Sequence, residues 1–192
     1  KDMCLACGVA EKDIWLRPNP VDEKAFFPVN EKVKYELRHA NSGFNGMDKL
    51  LVYVAKFRPS KNHGFLLDVM SRLPQNFKLY MKGPLVESGA LAKRDNEYFA
   101  SLTDKARALG LEDRVKIEKG FCENVARMYQ MADVYVFPSK EEGLGTPVLE
   151  SLACGVPVVG NNIRGVTDTM IIDGQNGYLS PLDVEIFATN IL

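Results

Sequence analysis

The chain has 192 residues, enough for one large domain with a buried core, and its 46% hydrophobic content is ordinary for a globular protein. A formal net charge of −1 excludes the broad positive field that nucleic acid or an anionic membrane would attract. No apolar run approaches the ~20 residues of a membrane span, and the start, Lys1-Asp2-Met3-Cys4, carries no signal-peptide pattern.

Lys1 to Trp15 is a polar lead-in. It opens without an initiator Met, so the chain is expected to be a piece of a longer protein. Cys4 and Cys7 form a C-x-x-C, but zinc needs further ligands. Cys122 and Cys154 are remote in apolar contexts, and the histidines are His39 and His63. A redox C-x-x-C belongs between a strand and a helix. Reduced thiols and a cytoplasmic location are therefore expected. Arg17 to Asp22 (RPNPVD) is a turn-rich connector.

Glu31 to Ala40 is charged and reads as a helix, and Asn41 to Asp48 as a Gly/Asn-rich loop. Then strands and helices alternate. Leu50 to Ala55 is an apolar run read as a buried strand. Asn62 to Leu73 places Phe65, Leu66, Val69, Met70 and Leu73 at helical spacing. Phe77 to Met81 is a second strand, and Leu91 to Leu109 a long helix closed by Gly110. Val115 to Ile117 is a third strand, Glu123 to Met131 a helix, and Asp133 to Phe137 a fourth strand. Thr146 to Cys154 is a helix closed by Gly155, and Val156 to Val159 a fifth strand. Val166 to Ile172 reads as helical, Gly177 to Leu179 as a last short strand, and Asp183 to Leu192 as a helix cut at its end. Apolar strands alternating with helices predict an α/β fold: a doubly wound, Rossmann-like parallel sheet with helices on both faces.

In open α/β sheets ligands bind beyond the carboxyl ends of the strands. After the first strand come Lys56 and Lys61. After the second comes Lys82-Gly83-Pro84, and after the third Lys119-Gly120-Phe121. Pro138 to Thr146 follows the fourth, and Gly160-Asn161-Asn162 the fifth. Lysines, glycines and acids converging on one rim suit an anionic ligand that also carries hydroxyls. G-x-G-x-x-G after the first strand, G-x-x-x-x-G-K-[ST] and G-x-S-x-G are all absent. An acidic cluster after the first strand would suit a flavodoxin- or receiver-like domain, but Lys56 and Arg58 stand there.

The densest signal is Glu142 to Glu150 (EGLGTPVLE), a glycine loop feeding a helix. Thr146 can serve as N-cap and Pro147 as first helical residue. Free N–H groups there suit a phosphate, and carboxylates on either side can accept hydrogen bonds from sugar or ribose hydroxyls. A lone glutamate at such a place would more simply complement the helix dipole. Two of them around a glycine loop at a strand end favour a ligand.

Glu142 and Glu150 have the E-x7-E spacing of retaining GT-B glycosyltransferases, and PSKEEGLGTPVLESLACGVPVV resembles the signature stretch of that group 1 family. RPNPVD resembles the family's Pro-Asn-Gly-Val-Asp linker. Val54 to Asn62 resembles its Gly-Arg…Glu-Lys-Gly loop, and Asp173 to Leu179 its Asp-Gly-x-Asn-Gly segment. The resemblance runs from about Ile14 onward. It implies that Glu142 contacts the donor sugar and Glu150 the ribose. It implies that Lys56 and Lys61 neutralise the departing diphosphate without a metal, and that Gly145 and Thr146 offer N–H groups to the phosphates. Gly120 and Phe121 would lie near the base, and Gly83 on the same nucleotide rim.

The sequence departs from the family where Gly-Arg becomes Ala55-Lys56, where Pro20 replaces the linker Gly, and where Asp168 replaces a common Glu. The stretch Val86 to Asn96 is longer than usual. The expected organisation is a lead-in and interdomain linker over residues 1–22 and a donor-binding domain over 23–192, truncated at its C-terminal helix. The donor would be a UDP-, GDP- or ADP-sugar, with no further cofactor required, and the sugar would be transferred with retention. The acceptor would sit on an N-terminal domain outside this sequence, which could also give the protein a peripheral membrane attachment, and this stretch alone should not transfer sugar. The other reading is a non-catalytic nucleotide- or phosphosugar-binding α/β module.

Overall fold

The computed structural model describes residues 2–15, 19–86 and 88–192. Arg17 and Pro18 of the expected linker lie outside the described residues, as does Glu87 within the long stretch 86–96. The chain begins with a short helix α1 (Asp2–Ala6) and a 3-10 turn Glu11–Asp13. It then forms α2 (Glu31–Ser42), β1 (Lys49–Val54), α3 (His63–Met70), β2 (Phe77–Gly83), α4 (Ala92–Ala108), β3 (Val115–Lys119), α5 (Val125–Gln130) and β4 (Val134–Phe137). It closes with α6 (Thr146–Ala153), β5 (Val158–Asn161), β6 (Gly177–Ser180) and α7 (Val184–Ile191).

The six strands form one sheet of order β3-β2-β1-β4-β5-β6, every neighbouring pair parallel. The order reverses between β1 and β4. Right-handed crossovers on either side of that reversal put α3 and α6 on opposite faces. Accordingly α3 packs on α4 and α7, while α5 packs on α2 and α6. Both faces are covered, so the central strands are apolar throughout: Leu50, Leu51, Val52 and Tyr53 of β1 and Tyr135, Val136 and Phe137 of β4 are buried.

Local chemistry explains several element ends. Asn30 caps α2 by accepting from the Val33 N–H, and Asp183 caps α7 by accepting from the Ile186 N–H. Gly110, at φ +64, closes α4 in the left-handed conformation, with Leu111 N–H bonded back to the Ala106 carbonyl.

Three sequence expectations are corrected. The charged helix runs past Ala40 to Ser42, because Ser42 Oγ donates to the Arg38 carbonyl (2.7 Å) and Gly43 closes it at φ +77. The segment Val166 to Ile172 makes only a 3-10 turn, Thr167–Thr169. Thr167 Oγ1 donates to the Asn161 carbonyl (2.6 Å) and accepts from the Ile163 N–H (2.7 Å), so side-chain bonds displace the helical ladder. Thr146 is not the N-cap of α6. Gly145 takes that place at φ +63, and Thr146 Oγ1 instead accepts from Asn19 Nδ2 (3.1 Å).

Candidate functional site

In open α/β sheets ligands bind where the strand order reverses, here between β1 and β4, and the loops leaving those two strands carry the charges. The two loops are stitched together. The Lys140 N–H donates to the Ser60 carbonyl (2.9 Å). The Tyr53 hydroxyl donates to the Lys61 carbonyl (2.8 Å) and shares a hydrogen bond with Ser139 Oγ (3.0 Å). Asn161 Nδ2, at the end of β5, donates to the Ser139 carbonyl (2.9 Å). Ser139 and Asn161 lie on the rim that the sequence marks, but nothing in the local pattern of Tyr53 points to this role.

The stitching brings Lys61 onto Glu142. Lys61 Nζ lies 2.5 Å from Glu142 Oε2, and the two side chains are only 12% and 20% exposed. Glu142 Oε1 also accepts from the Gly143 N–H (3.0 Å). A cation and a carboxylate are thus held together with little water around them, where an anionic polyol could exchange with either. Asn62, directly after Lys61, is the one non-glycine residue at positive φ among the described residues (φ 58). Asparagine tolerates that conformation, which turns the loop into α3.

Glu150 lies one helical turn beyond Thr146, on α6, and accepts from the Tyr129 hydroxyl (2.9 Å). Burial pushes its carboxyl pKa up, and the Tyr129 bond works against that shift. Aromatic rings run from Glu150 to the loop seam: Tyr129 packs edge-on against Tyr135 at 5.2 Å, and Tyr135 lies 6.3 Å from Tyr53. The buried Tyr135 hydroxyl, raised first by burial and then by Tyr53, also feels both Glu150 and Glu142.

The glycines have distinct reasons. At Gly145 a Cβ would come 2.7 Å from Met170 Cε and 2.8 Å from Val166 Cγ1, so the start of α6 is seated tightly. At Gly83 a Cβ would meet the Ala55 carbonyl oxygen at 1.9 Å, so close approach of β1 and β2 already requires glycine there. Gly120 (φ +132) has open space around it, and its N–H donates to the Gly83 carbonyl (2.9 Å). Phe121 is 84% exposed beside it. Pro84, Leu85, Lys119, Gly120 and Phe121 line a cavity of about 480 Å³ beyond β2 and β3. A larger one of about 600 Å³ lies between residues 24–37 and α5, off the strand ends. Lys56 is exposed and makes no hydrogen bond or ion pair among the described residues.

His63, the first residue of α3, is fully buried between the rings of Tyr53 (4.8 Å) and Phe57 (4.6 Å). Burial, helped by the charge of Lys61, lowers its pKa to about 3, so it is a neutral spacer and not a base. Among the described residues no group of three or more His, Cys, Asp or Glu could hold a metal ion. Likewise no helix there is long and apolar enough to cross a membrane.

Residues 34–191 match the family model for glycosyl transferases group 1. The chain is 28% identical over 169 residues to N-acetyl-alpha-D-glucosaminyl L-malate synthase of Bacillus anthracis, covering 88% of this chain and 40% of that protein. It is 31% identical over 175 residues to D-inositol 3-phosphate glycosyltransferase of Nocardiopsis dassonvillei, covering 90% of this chain and 39% of that protein. Anabaena HepE in complex with UDP has the same fold, with a TM-score of 0.83 at 21% identity over 97% of this chain and 49% of that one. Sucrose-phosphate synthase from Thermosynechococcus elongatus gives 0.79 at 26% identity over 99% and 45%. The chain therefore spans only 39–40% of these two curated relatives and under half of these two structures. Its doubly wound sheet is that of the GT-B glycosyltransferases, and the chain belongs to the glycosyl transferases group 1 family.

Proposed function

We propose that this chain is the donor half of a glycosyltransferase. It would bind a nucleotide-diphosphate sugar for transfer, with retention, to an acceptor on an N-terminal domain preceding it. Residues 1–22 would then be lead-in and linker, and 23–192 the donor domain. The observation that carries this reading is the Lys61–Glu142 pair across the β1/β4 reversal, with Glu150 behind it on α6. The UDP in the HepE complex supports it, as do the glucosaminyl L-malate synthase and the inositol 3-phosphate glycosyltransferase that this chain resembles.

On this reading Glu150 accepts from the ribose hydroxyls, and Tyr129 holds its carboxylate in place. Glu142 accepts from hydroxyls of the sugar. The diphosphate competes with Glu142 for Lys61, so donor binding opens the pair and delivers each partner to its own part of the ligand. As the bond from the sugar to the diphosphate breaks, its electron pair moves onto the phosphate, and fixed positive charge stabilises that oxygen. Gly145 and Thr146, at the start of α6, would present N–H groups to the phosphates, and Gly120 and Phe121 would flank the base. Without the acceptor wall the crevice stays open to water, so this chain by itself should not turn over. The four free thiols suit a reducing, cytoplasmic setting.

Calorimetric titration of Glu142→Ala and Glu150→Ala with a nucleoside diphosphate and its sugar conjugate tests the assignment, starting with UDP and UDP-glucose and repeating with GDP and ADP. Glu150→Ala should weaken both ligands by about 1.5–3 kcal/mol, the worth of hydrogen bonds to a charged group. Glu142→Ala should weaken only the sugar conjugate. Bare diphosphate should bind as before or tighter, because Lys61 is released. Equal losses for both ligands in Glu142→Ala would remove its role at the sugar.

A further inference from the structure

Tyr53 is the last buried residue of β1, and other rings wall it in. His63 stands 4.8 Å away, Tyr135 6.3 Å and Phe137 6.5 Å. A phenylalanine would fill the same space. A hydroxyl buried in such a place costs stability unless its bonding capacity is used, so its partners say what it is for.

The phenol has one proton. It goes to the Lys61 carbonyl (2.8 Å), which can only accept. The contact with Ser139 Oγ (3.0 Å) then runs the other way, the serine donating to the phenol oxygen. Ser139 is itself fully buried, just past the end of β4. Its carbonyl accepts from Asn161 Nδ2 (2.9 Å) at the end of β5. One run of hydrogen bonds thus passes from β5 through β4 to β1 and ends on the backbone of Lys61. The next residue along, Lys140, holds the Ser60 carbonyl through its N–H (2.9 Å), and Glu142 follows in the same loop. The phenol is a common reference point for two loops that are distant in sequence. It bonds a backbone carbonyl and a buried serine, so it governs where the loops stand.

We propose that the Tyr53 hydroxyl, with Ser139, is a positioning group for the donor: it sets the separation of the loops after β1 and β4, so that Glu142 can engage the sugar while the nucleotide is held. The proposal rests on the donor-binding reading above. A ligand that needs only the nucleotide side of the crevice is indifferent to that separation. A sugar conjugate must meet both sides at once, and such groups have to be held to within about 0.5 Å. Tyr135 supplies the contrast. Its hydroxyl sits on the neighbouring strand in a side chain just as buried, but it donates to the Val54 carbonyl (3.3 Å) of β1 rather than to a loop.

The test compares wild type with Tyr53→Phe, Ser139→Ala, the double variant and Tyr135→Phe. Each is melted without ligand and titrated by calorimetry with UDP, GDP and ADP and with their glucose conjugates. Tyr53→Phe should weaken the preferred sugar conjugate about 5-fold or more, and the bare diphosphate by less than about 2-fold. Ser139→Ala removes the other end of the same bond and should give the same pattern. The double variant should be no weaker than the weaker single, because both remove one interaction. Tyr135→Phe should keep the wild-type ratio of the two affinities whatever it does to the melt. Equal losses of both ligands in Tyr53→Phe would make the hydroxyl merely structural and overturn the proposal. So would a ratio shifted as far in Tyr135→Phe, or additive losses in the double variant. Should Tyr53→Phe fail to fold, Ser139→Ala carries the comparison. If wild type binds none of these ligands, the donor reading falls and this proposal with it. If wild type binds them and Tyr53→Phe and Ser139→Ala keep its ratio, this proposal alone falls.

Discussion

Two polar clusters sit at opposite ends of the sheet, and they are built to different standards. At the amino ends of β1 and β4, the buried Arg38 of α2 donates Nε and Nη2 to the Met131 carbonyl (3.1 and 3.0 Å) and Nη2 to Asp133 Oδ2 (2.8 Å). Its Nη1 donates to the carbonyls of Gly46 (3.0 Å) and Asp48 (2.5 Å). Asp133 in turn accepts from the Leu50 N–H (2.7 Å) and pairs with Lys34 (2.7 Å). Every nitrogen of that guanidinium has a partner. At the carboxyl ends, Arg58 Nε is buried without an acceptor, and Lys61 and Glu142 have mainly each other. A closed network holds strands together. An open one leaves binding capacity for something the fold does not supply.

The comparison breaks most visibly at Arg38. Arg38→Met should strip partners from three carbonyls and from Asp133, at about 3–5 kcal/mol of stability, the cost of removing one member of a buried ion pair. Urea unfolding measures it. The folded fraction should bind nucleoside diphosphate as wild type does. A weaker ligand at unchanged stability would mean that the two ends are not divided as described.

His63 sharpens the comparison through pH. Its folded pKa is lowered to about 3, against 6.5 for an unperturbed imidazole. Below pH 6.5 the unfolded chain takes up a proton that the folded chain refuses. Stability therefore falls as pH drops from 6.5 toward about 3, by ~1.4 kcal/mol per pH unit for this group. His63→Phe keeps the ring stack on Tyr53 and Phe57 and removes that slope. Between pH 6.5 and 5 it should recover about 2 kcal/mol relative to wild type. Parallel acid slopes for both proteins would show that His63 is protonated in the fold.

The smallest expected effect lies at Tyr129. Tyr129→Phe removes the hydrogen bond that counters the burial of Glu150. Stability should drop by about 1 kcal/mol or less. The Glu150 pKa should rise further, so the acid limb of nucleotide binding should move to higher pH. A pH titration of affinity with an unmoved acid limb would detach Glu150 from the ribose.

The layout of the fold was legible because its determinants are local. Strands buried on both faces need continuous apolar runs, and LLVYV and VYVF supplied them. The glycine loop and Pro147 announced a helix start at the end of a strand. Where neighbours decide, local pattern was a poorer guide. Val166 to Ile172 had a helical look, but Thr167 found the Asn161 carbonyl across the turn. At Gly83 the local pattern did not show that the Ala55 carbonyl, 1.9 Å from where a Cβ would stand, itself requires a glycine.

The amino-acid sequence by itself determined the alternation of strands and helices, the rim on which charge collects and the resemblance to a sugar-transfer family. Those rest on period, turn chemistry and residue type along short stretches of chain. Tertiary structure decided which charges act together. Lys61 and Glu142 are 81 residues apart in sequence and meet only because β1 and β4 are neighbours in the sheet. Lys56 and Arg58 are equally cationic in sequence. They differ in their surroundings: Lys56 is exposed, while Arg58 is half-buried with its Nε out of contact with water. Burial of a charge depends on what surrounds it in space, and that is set by contacts distant in the chain.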